Sequence, residues 1–175
     1  DWIQVKGLDC HIGSQISSLE PMVEAMEKMV GLLDRLENIG ISIDHLDVGG
    51  GLGITYDDET PPSPAVYAKE LIRVLGKRKM KIITEPGRVI AGNAGILLTQ
   101  VLLKKRSQNK TFVIVDAGMN DSIRPALYDA WHGIEPVTHT NRPKEVVDVV
   151  GPVCESGDFL ARDRDLPQLE EGDLL

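Results

Sequence analysis

The sequence predicts an α/β protein whose first half forms a parallel sheet with covering helices and whose second half consists mainly of strands. Three strand-like runs alternate with two amphipathic helical patterns in the first half. This spacing is typical of a parallel sheet, either doubly wound or closed as a (β/α)8 barrel. From about residue 91, β-rich runs separated by turn residues follow without a long helical pattern, as in an antiparallel β region. We therefore expect two domains, 1–93 and 94–175.

Composition narrows the classes of function. The 175 residues carry a net charge of -8 and only 4% aromatic side chains, so we expect no nucleic-acid partner, which would need basic patches or aromatic stacking platforms. We expect neither secretion nor membrane insertion, because residues 1–175 contain no signal-peptide pattern and no apolar run of 18 residues. Cys10 and Cys154 are too few for a disulfide framework, which favours the cytoplasm. No metal is expected, because the histidines are too dispersed for a ligand set: His11, His45, His132 and His139.

The first strand and the first helix are expected in residues 3–9 and 17–40. Ser18 is expected to cap the helix, Pro21 lies in its first turn, and Gly40 ends it. An apolar stripe with helical spacing is interpreted as packing rather than as a cofactor site. Its members are Met22, Val23, Met26, Met29, Val30, Leu33 and Leu36.

Two further strands and one helix complete the first half. Residues 41–51 and 80–87 are apolar runs that end in glycine-containing turns. Between them, residues 63–79 have helical periodicity, with Ser63 as the N-cap and Pro64 at the first helical position. The order strand, helix, strand, helix, strand therefore predicts parallel pairing.

The second half is predicted to contain four strands: 95–105, 111–118, 135–140 and 144–153. The most basic stretch, residues 102–110, begins within the end of the first of these runs and reaches the start of the second. It is interpreted as a solvated hairpin turn rather than as an anion-binding patch.

Each strand of the first half ends in a polar turn that contains glycine: CHIGSQ, DVGGGLG and TEPGR. The carboxyl ends of parallel strands meet at one edge of a sheet, and ligands bind there in α/β proteins. The triple glycine, Gly49, Gly50 and Gly51, lets backbone N–H groups approach an anion. It matches neither a dinucleotide-binding nor a P-loop motif, and a tight turn is the alternative. His11 is either an acid, base or stacking group or a structural imidazole.

Glu85 and Arg88 flank a rigid corner formed by Pro86 and Gly87. Three residues apart, they would ordinarily form a surface ion pair of little energetic value. Proline fixes its own φ angle, and glycine permits unusual backbone. We therefore expect the corner to direct the two side chains at different atoms of a ligand.

The second half contains two further polar groups of interest. Cys154 and Glu155 follow a β-rich run, between glycine-containing turns, and the thiol is a candidate proton donor. Arg124 and Tyr128 are four residues apart and share a face if their segment is helical. Taken singly, each of these residues is more typical of a protein surface than of a site.

Five motifs in order closely resemble those of the diaminopimelate decarboxylases, a family in the fold-type III, alanine-racemase-like group of pyridoxal-phosphate (PLP) enzymes. They are HIGSQ, LDVGGGLG, TEPGR, VDAGMNDSIRPALYDAWH and VVGPVCESGDFLA. The resemblance spans essentially the whole chain. It implies the last part of a (β/α)8 TIM-type barrel followed by part of a C-terminal antiparallel β domain. The implied reaction is the PLP-dependent decarboxylation of meso-diaminopimelate to L-lysine, the last step of lysine biosynthesis.

The resemblance also implies roles for individual residues. His11 stacks on the PLP ring, and the phosphate is bound by Ser14 and the backbone of the triple glycine. Glu85 pairs with the pyridine nitrogen, in the motif that includes Pro86 and Gly87, and Arg88 lies near the phosphate and the substrate carboxylate. The implied substrate ligands are Arg88, Arg124, Tyr128 and Glu155. Cys154 is the implied proton donor to the active site of the other subunit in a homodimer with shared sites.

The charges of the implied substrate ligands favour diaminopimelate. Its distal carboxylate suits the guanidinium of Arg124, and its distal ammonium suits Glu155. Related decarboxylases of ornithine, arginine or carboxynorspermidine are the first alternative, and a non-catalytic, truncated family member is the second.

One departure from the family pattern concerns the lysine that forms the Schiff base with PLP. In the family it lies on an early barrel strand, ahead of the region that matches Asp1, and a further active-site tyrosine lies beyond the match to Leu175. Four lysines of the first half do not follow the family's motif: Lys6, Lys28, Lys69 and Lys81. We therefore expect a fragment of a longer protein that alone neither forms the Schiff base nor decarboxylates.

Overall fold

The computed structural model of the protein describes residues 2–175. The chain divides into two compact units, residues 1–95 and 96–175. Each unit has its own sheet and its own apolar core, and each is described by itself below.

The first unit is built on a three-stranded parallel sheet in the order β1-β2-β3. The strands are β1 (Gly7–Asp9), β2 (His45–Asp47) and β3 (Lys81–Ile83). Leu46 lies opposite both Leu8 and Ile82 in the register. The predicted parallel pairing is therefore confirmed, and all three strands end at the same edge of the sheet.

Two helices connect these strands, α1 (Glu20–Asn38) and α2 (Pro64–Leu75). The expected cap of α2 is confirmed, because the side chain of Ser63 accepts a hydrogen bond from the Val66 N–H, 3.3 Å away. The expected cap of α1 is wrong. Its N-cap is Leu19, which already has helical backbone angles and makes no side-chain cap, so the helix starts too late for Ser18 to reach the orphan N–H groups.

The core of the first unit lies between the sheet and these helices. Leu33 of α1 and Leu46 of β2 are fully buried, together with Met26, Val48, Leu71 and Leu75. The methionine-rich stripe of α1 therefore packs in the core, as its helical spacing predicts.

The second unit contains a four-stranded sheet in the order β4-β5-β6-β7. Its strands are β4 (Val101–Arg106), β5 (Thr111–Val115), β6 (Lys144–Val150) and β7 (Phe159–Pro167). The outer pairs are antiparallel. The hairpin turn predicted at 102–110 is confirmed only for residues 107–110, because residues 102–106 belong to β4.

The expectation of a wholly antiparallel sheet is wrong, because β5 and β6 pair in parallel. A parallel pair needs a long crossover, which residues 116–143 supply. This crossover includes the short helix α4 (Arg124–Tyr128).

The strand expected at 135–140 is also wrong. Val137 makes one backbone hydrogen bond, from its N–H to the Leu174 carbonyl, but its side chain is 57% exposed. Strand propensity is expressed only where side chains fit a half-buried pleated surface, and this exposed segment pairs with none of the strands β4 to β7.

A further short helix, α3 (Arg88–Ala91), follows β3. Among residues 2–175, no helix combines the length and the apolar character that crossing a membrane requires.

Candidate active site

The three turns that follow β1, β2 and β3 are joined by hydrogen bonds at one edge of the sheet. The Gly50 N–H donates to Nδ1 of His11 (3.2 Å), and the Glu85 N–H donates to the Gly49 carbonyl (2.9 Å). The Ile16 N–H donates to the Gly51 carbonyl (2.9 Å). The polar turns that the sequence places after each strand therefore meet, as the parallel topology predicts.

The triple glycine is at the centre of this meeting point. A Cβ on Gly50 would lie 2.1 Å from the Glu85 carbonyl oxygen, and one on Gly51 would lie 2.3 Å from the Gly13 carbonyl oxygen. Gly49 and Gly51 also have φ angles of 66° and 99°, which side chains rarely allow. Only glycine permits these backbones to approach so closely.

The expected role of the triple glycine in binding a phosphate needs refinement. The Gly49 N–H donates to Oδ1 of Asp47 (2.9 Å), and the Gly50 N–H is already bonded to His11. Of the three N–H groups, that of Gly51 is left without a hydrogen bond to any residue the structure describes. The bond from Gly50 also orients the His11 ring, since Nδ1 must face this N–H. In a neutral imidazole the proton then lies on Nε2, because Nδ1 is the acceptor.

Glu85 lies in a group of three carboxylates. One oxygen each of Glu85, Asp9 and Asp47 lies within 4.8 Å of the others. Asp9 and Asp47 are the last residues of β1 and β2, so the parallel register brings them together. Sequence reasoning missed both, although the repeated Leu-Asp at the end of each strand was a usable signal. The local potential is negative and favours a cationic group.

Arg88 points away from this group. Its Nη1 donates to Oε1 of Gln15 (3.2 Å), and its guanidinium carbon lies 5.7 Å from the centre of the Tyr56 ring. Glu85 and Arg88 form no ion pair with each other in the described part of the chain. The two side chains therefore do not pair with each other, and their expected direction toward different atoms of a ligand stays a prediction.

The corner between them explains the separation. Arg88 is the first residue of α3, and Gly87 is its N-cap, whose carbonyl accepts the N–H groups of Ile90 and Ala91. The chain thus changes from extended to helical within the Pro86–Gly87 corner. Both corner residues are exposed.

Gln15 is the last residue of the HIGSQ motif, and the sequence alone predicts no role for it. Its side-chain amide bonds the backbone of Ile54 twice, donating to the carbonyl and accepting from the N–H (3.1 Å). The same oxygen accepts from Arg88. Its neighbour Ser14 is exposed in the same turn.

In the second unit, the segment of Arg124 and Tyr128 is helical, and the two side chains share a face, as their spacing predicts for a helix. Both lie on α4, and the guanidinium carbon of Arg124 lies 5.8 Å from the centre of the Tyr128 ring. Asp129, in the left-handed region with a φ of 51°, ends the helix. Tyr128 is 66% exposed, so its ring is available to a ligand.

Cys154 and Glu155 are both exposed, in the loop between β6 and β7. The Gly157 N–H (3.2 Å) and, second, the Ser156 hydroxyl (3.0 Å) donate to the Glu155 carboxylate. These bonds favour the charged form and lower the pKa of Glu155 below its usual value. At neutral pH the loop therefore presents an anion beside a free thiol.

Comparison with known proteins connects both units to one family. The sequence model described as "Pyridoxal-dependent decarboxylase, C-terminal sheet domain" matches residues 12–175. A diaminopimelate decarboxylase of Vibrio cholerae serotype O1 is 52% identical over 99% of this chain. The chain spans 42% of the length of that relative.

Solved structures show the same relationship. A crystal structure of an Aquifex aeolicus protein has a TM-score of 0.95 and 50% identity, and the match covers 98% of this chain and 43% of that one. The crystal structure of diaminopimelate decarboxylase from Helicobacter pylori complexed with L-lysine has a TM-score of 0.91 and 45% identity. That match covers 97% of this chain and 42% of the Helicobacter chain.

Proposed function

Because the chain belongs to the pyridoxal-dependent decarboxylase family, we propose that it forms part of an enzyme that converts meso-diaminopimelate to L-lysine and CO2. The observation that carries this proposal is the convergence of the three turns at one sheet edge, where Glu85 and Arg88 are held apart. The identity of 52% to the diaminopimelate decarboxylase of Vibrio cholerae along nearly the whole chain supports the choice of substrate.

The groups at the sheet edge fit the cofactor. PLP combines an aromatic ring, a cationic pyridinium nitrogen and a phosphate dianion. His11 would stack on the ring, with its imidazole oriented by the Gly50 N–H. Ser14, the Gly51 N–H and Arg88 would hold the phosphate. When bound, PLP supplies an electron sink for the electron pair that CO2 leaves on the substrate carbon.

Glu85 would keep the pyridine nitrogen protonated. A carboxylate beside that nitrogen favours the cationic form, and Asp9 and Asp47 strengthen the negative potential, since all three lie within 4.8 Å of one another. The cluster thus favours decarboxylation over racemisation, because alanine racemases of similar fold place an arginine at this nitrogen.

The second unit would supply the groups that select the substrate. Arg124 would bind the distal carboxylate of diaminopimelate, with Tyr128 beside it, and Glu155 would bind the distal ammonium. Cys154 would donate the proton that replaces CO2. Its exposure fits a role in the active site of a second subunit, and we propose a homodimer with shared sites.

The remaining length of the relatives would complete the first unit. We propose that the three parallel strands are the last strands of a (β/α)8 barrel that the rest of the polypeptide closes. The family's Schiff-base lysine would come from that part. The free thiols of Cys10 and Cys154 fit a reducing cytoplasm.

The proposal is tested with a chimera in which this chain replaces the matching segment of the Vibrio cholerae relative. We expect CO2 release from meso-diaminopimelate within about tenfold of the parent rate, with lysine as product. Ornithine and arginine serve as competing substrates. A correctly folded, PLP-loaded chimera that prefers either of them would overturn the substrate assignment, and one that releases no CO2 would overturn the function.

A further inference from the structure

The second unit contains a buried carboxylate that the proposed function does not use. Asp158 is only 3% exposed and directly precedes β7. We propose that Asp158 is a positioning residue for the Cys154 loop, defined here as residues 151–157. This proposal rests on the proposed function, because it concerns the placement of Cys154 and Glu155.

Asp158 bonds the Cys154 loop with its side chain and with its backbone. Its Oδ2 accepts the Val153 N–H (2.7 Å). Its own N–H donates to the Glu155 carbonyl (3.0 Å), and its carbonyl accepts the Gly151 N–H (2.9 Å). The loop is therefore closed at both ends around this one residue, with Cys154 and Glu155 at its outside.

The second carboxylate oxygen reaches another part of the unit. Oδ1 of Asp158 accepts the Met119 N–H (2.7 Å), 39 positions earlier in the chain. Residues 116–123 lead from β5 into α4, which carries Arg124 and Tyr128. A single carboxylate thus connects the Cys154 loop with the segment that precedes the other proposed substrate ligands.

Two glycines show that the site is built around this carboxylate. A Cβ on Gly151 would lie 2.3 Å from Oδ2 of Asp158, and a Cβ on Gly118 would lie 3.0 Å from Oδ1. A buried charge is tolerated only where hydrogen bonds replace its hydration. Bare backbone at both glycines gives the carboxylate the space to make those bonds.

The substitution Asp158→Asn separates shape from acceptor capacity. The amide has the size of the carboxylate, but its NH2 group cannot accept a hydrogen bond. The N–H of Val153 or that of Met119 then faces a donor, and one of the two side-chain hydrogen bonds of residue 158 is lost. We expect the Cys154 loop to move while the sheet stays intact.

Asp148→Asn is the matched control. Asp148 is the other buried aspartate of this unit, 6% exposed. Its bonds go to Nζ of Lys110 (2.7 Å) and to the Asp163 N–H (2.8 Å), and neither residue belongs to the Cys154 loop. It therefore reports the cost of removing a buried carboxylate without loosening that loop.

The kinetic test is a double-mutant cycle in the chimera. We expect Asp158→Asn to lower kcat/KM for diaminopimelate at least tenfold and Asp148→Asn to change it less than threefold. If Asp158 acts through Glu155, adding Asp158→Asn to Glu155→Ala should lower kcat/KM by less than a further threefold. Multiplication of the two single effects would overturn the positioning role.

A second measurement does not depend on turnover. Hydrogen exchange followed by mass spectrometry should show faster exchange in residues 151–157 with Asp158→Asn, and unchanged exchange there with Asp148→Asn. Alkylation of Cys154 should change rate at least threefold, with Cys10 as the internal reference. Gly151→Ala, which presses on the carboxylate but keeps its charge, should reproduce both effects if Asp158→Asn does not fold.

The two measurements separate the two proposals. An inactive chimera with the expected changes in exchange and alkylation would contradict the proposed function but support the positioning role of Asp158. Unchanged exchange and alkylation in the Asp158→Asn and Gly151→Ala variants would overturn the positioning role of Asp158, whatever the activity of the chimera.

Discussion

Arg88 donates a hydrogen bond to Gln15 at 3.2 Å, although Gln15 is 73 positions away in the chain and Glu85 is only three. Gln15 is itself held by two bonds to the backbone of Ile54. The guanidinium therefore has a fixed partner on a different turn, which keeps it from collapsing onto Glu85. Two residues only three positions apart in the sequence therefore have separate surroundings, as the proposed roles of Glu85 and Arg88 in cofactor binding require.

Replacing Gln15 with leucine should loosen this edge of the sheet. The variant loses three hydrogen bonds in a partly buried position, so we expect the free energy of unfolding to fall by about 1–3 kcal/mol. Hydrogen exchange of the peptide that contains Ile54 should become faster. Gln108→Leu, in the exposed turn between β4 and β5, is the control and should change neither quantity.

Two glycines should respond in opposite directions to alanine. Gly50→Ala would place a Cβ 2.1 Å from the Glu85 carbonyl oxygen, so we expect a loss of about 1–3 kcal/mol or more from overpacking. Gly31 lies inside α1, and a Cβ there meets nothing within 4 Å. Gly31→Ala should stabilise the protein by about 0.5–1 kcal/mol. Denaturant unfolding measures both, and a tolerated Gly50→Ala would contradict the close approach of the turns.

Glu155 should titrate below the usual range of a glutamate. Because its pKa is lower in the folded state, its bonds stabilise the Cys154 loop above the unfolded pKa, and this contribution disappears as the pH falls through the folded pKa. Ser156→Ala removes the hydroxyl donor but leaves the Gly157 N–H, so it should raise the pKa of Glu155 only part of the way. Carbon NMR of labelled glutamate provides the titration curve, with Ser18→Ala as the control. A normal curve in the unmodified chain would refute the bonding pattern.

Arg124→Ala should affect substrate binding more than cofactor binding. Loss of a charge-assisted bond to the distal carboxylate should raise the KM for diaminopimelate about tenfold or more in the chimera. The absorbance of bound PLP should stay unchanged. The matched control is Arg162→Ala, whose guanidinium lies over the ring of Phe159 instead. Normal kinetics in the Arg124 variant would exclude this residue as a substrate ligand.

Local features of the protein were predictable from the sequence. Helical spacing placed the methionine stripe of α1 in the core, Ser63 capped α2 as expected, and the three βα repeats implied parallel strands. The Pro86–Gly87 corner indicated that Glu85 and Arg88 diverge. The stripe, the cap and the corner depend on residues within a few positions of one another, where backbone preference and periodicity decide the structure. The parallel pairing follows from the order of strands and helices along the chain.

The sequence also carried the family resemblance, since ordered motifs identify a family without coordinates. Three predictions from the sequence were wrong: the start of α1, the strand at 135–140 and the antiparallel pairing of β5 with β6. The two errors in the second unit concern pairing between distant segments, and local propensity does not contain that information.

Only the tertiary structure decided the contacts between distant residues. Gln15 with Arg88, Asp9 with Asp47 and Glu85, and Asp158 with Met119 are brought together by strand register and crossover length. The sequence by itself determined which side chains and which bare glycines were available. Their partners were determined by the tertiary fold, because a hydrogen bond between residues tens of positions apart requires that the sheet hold both groups at one edge.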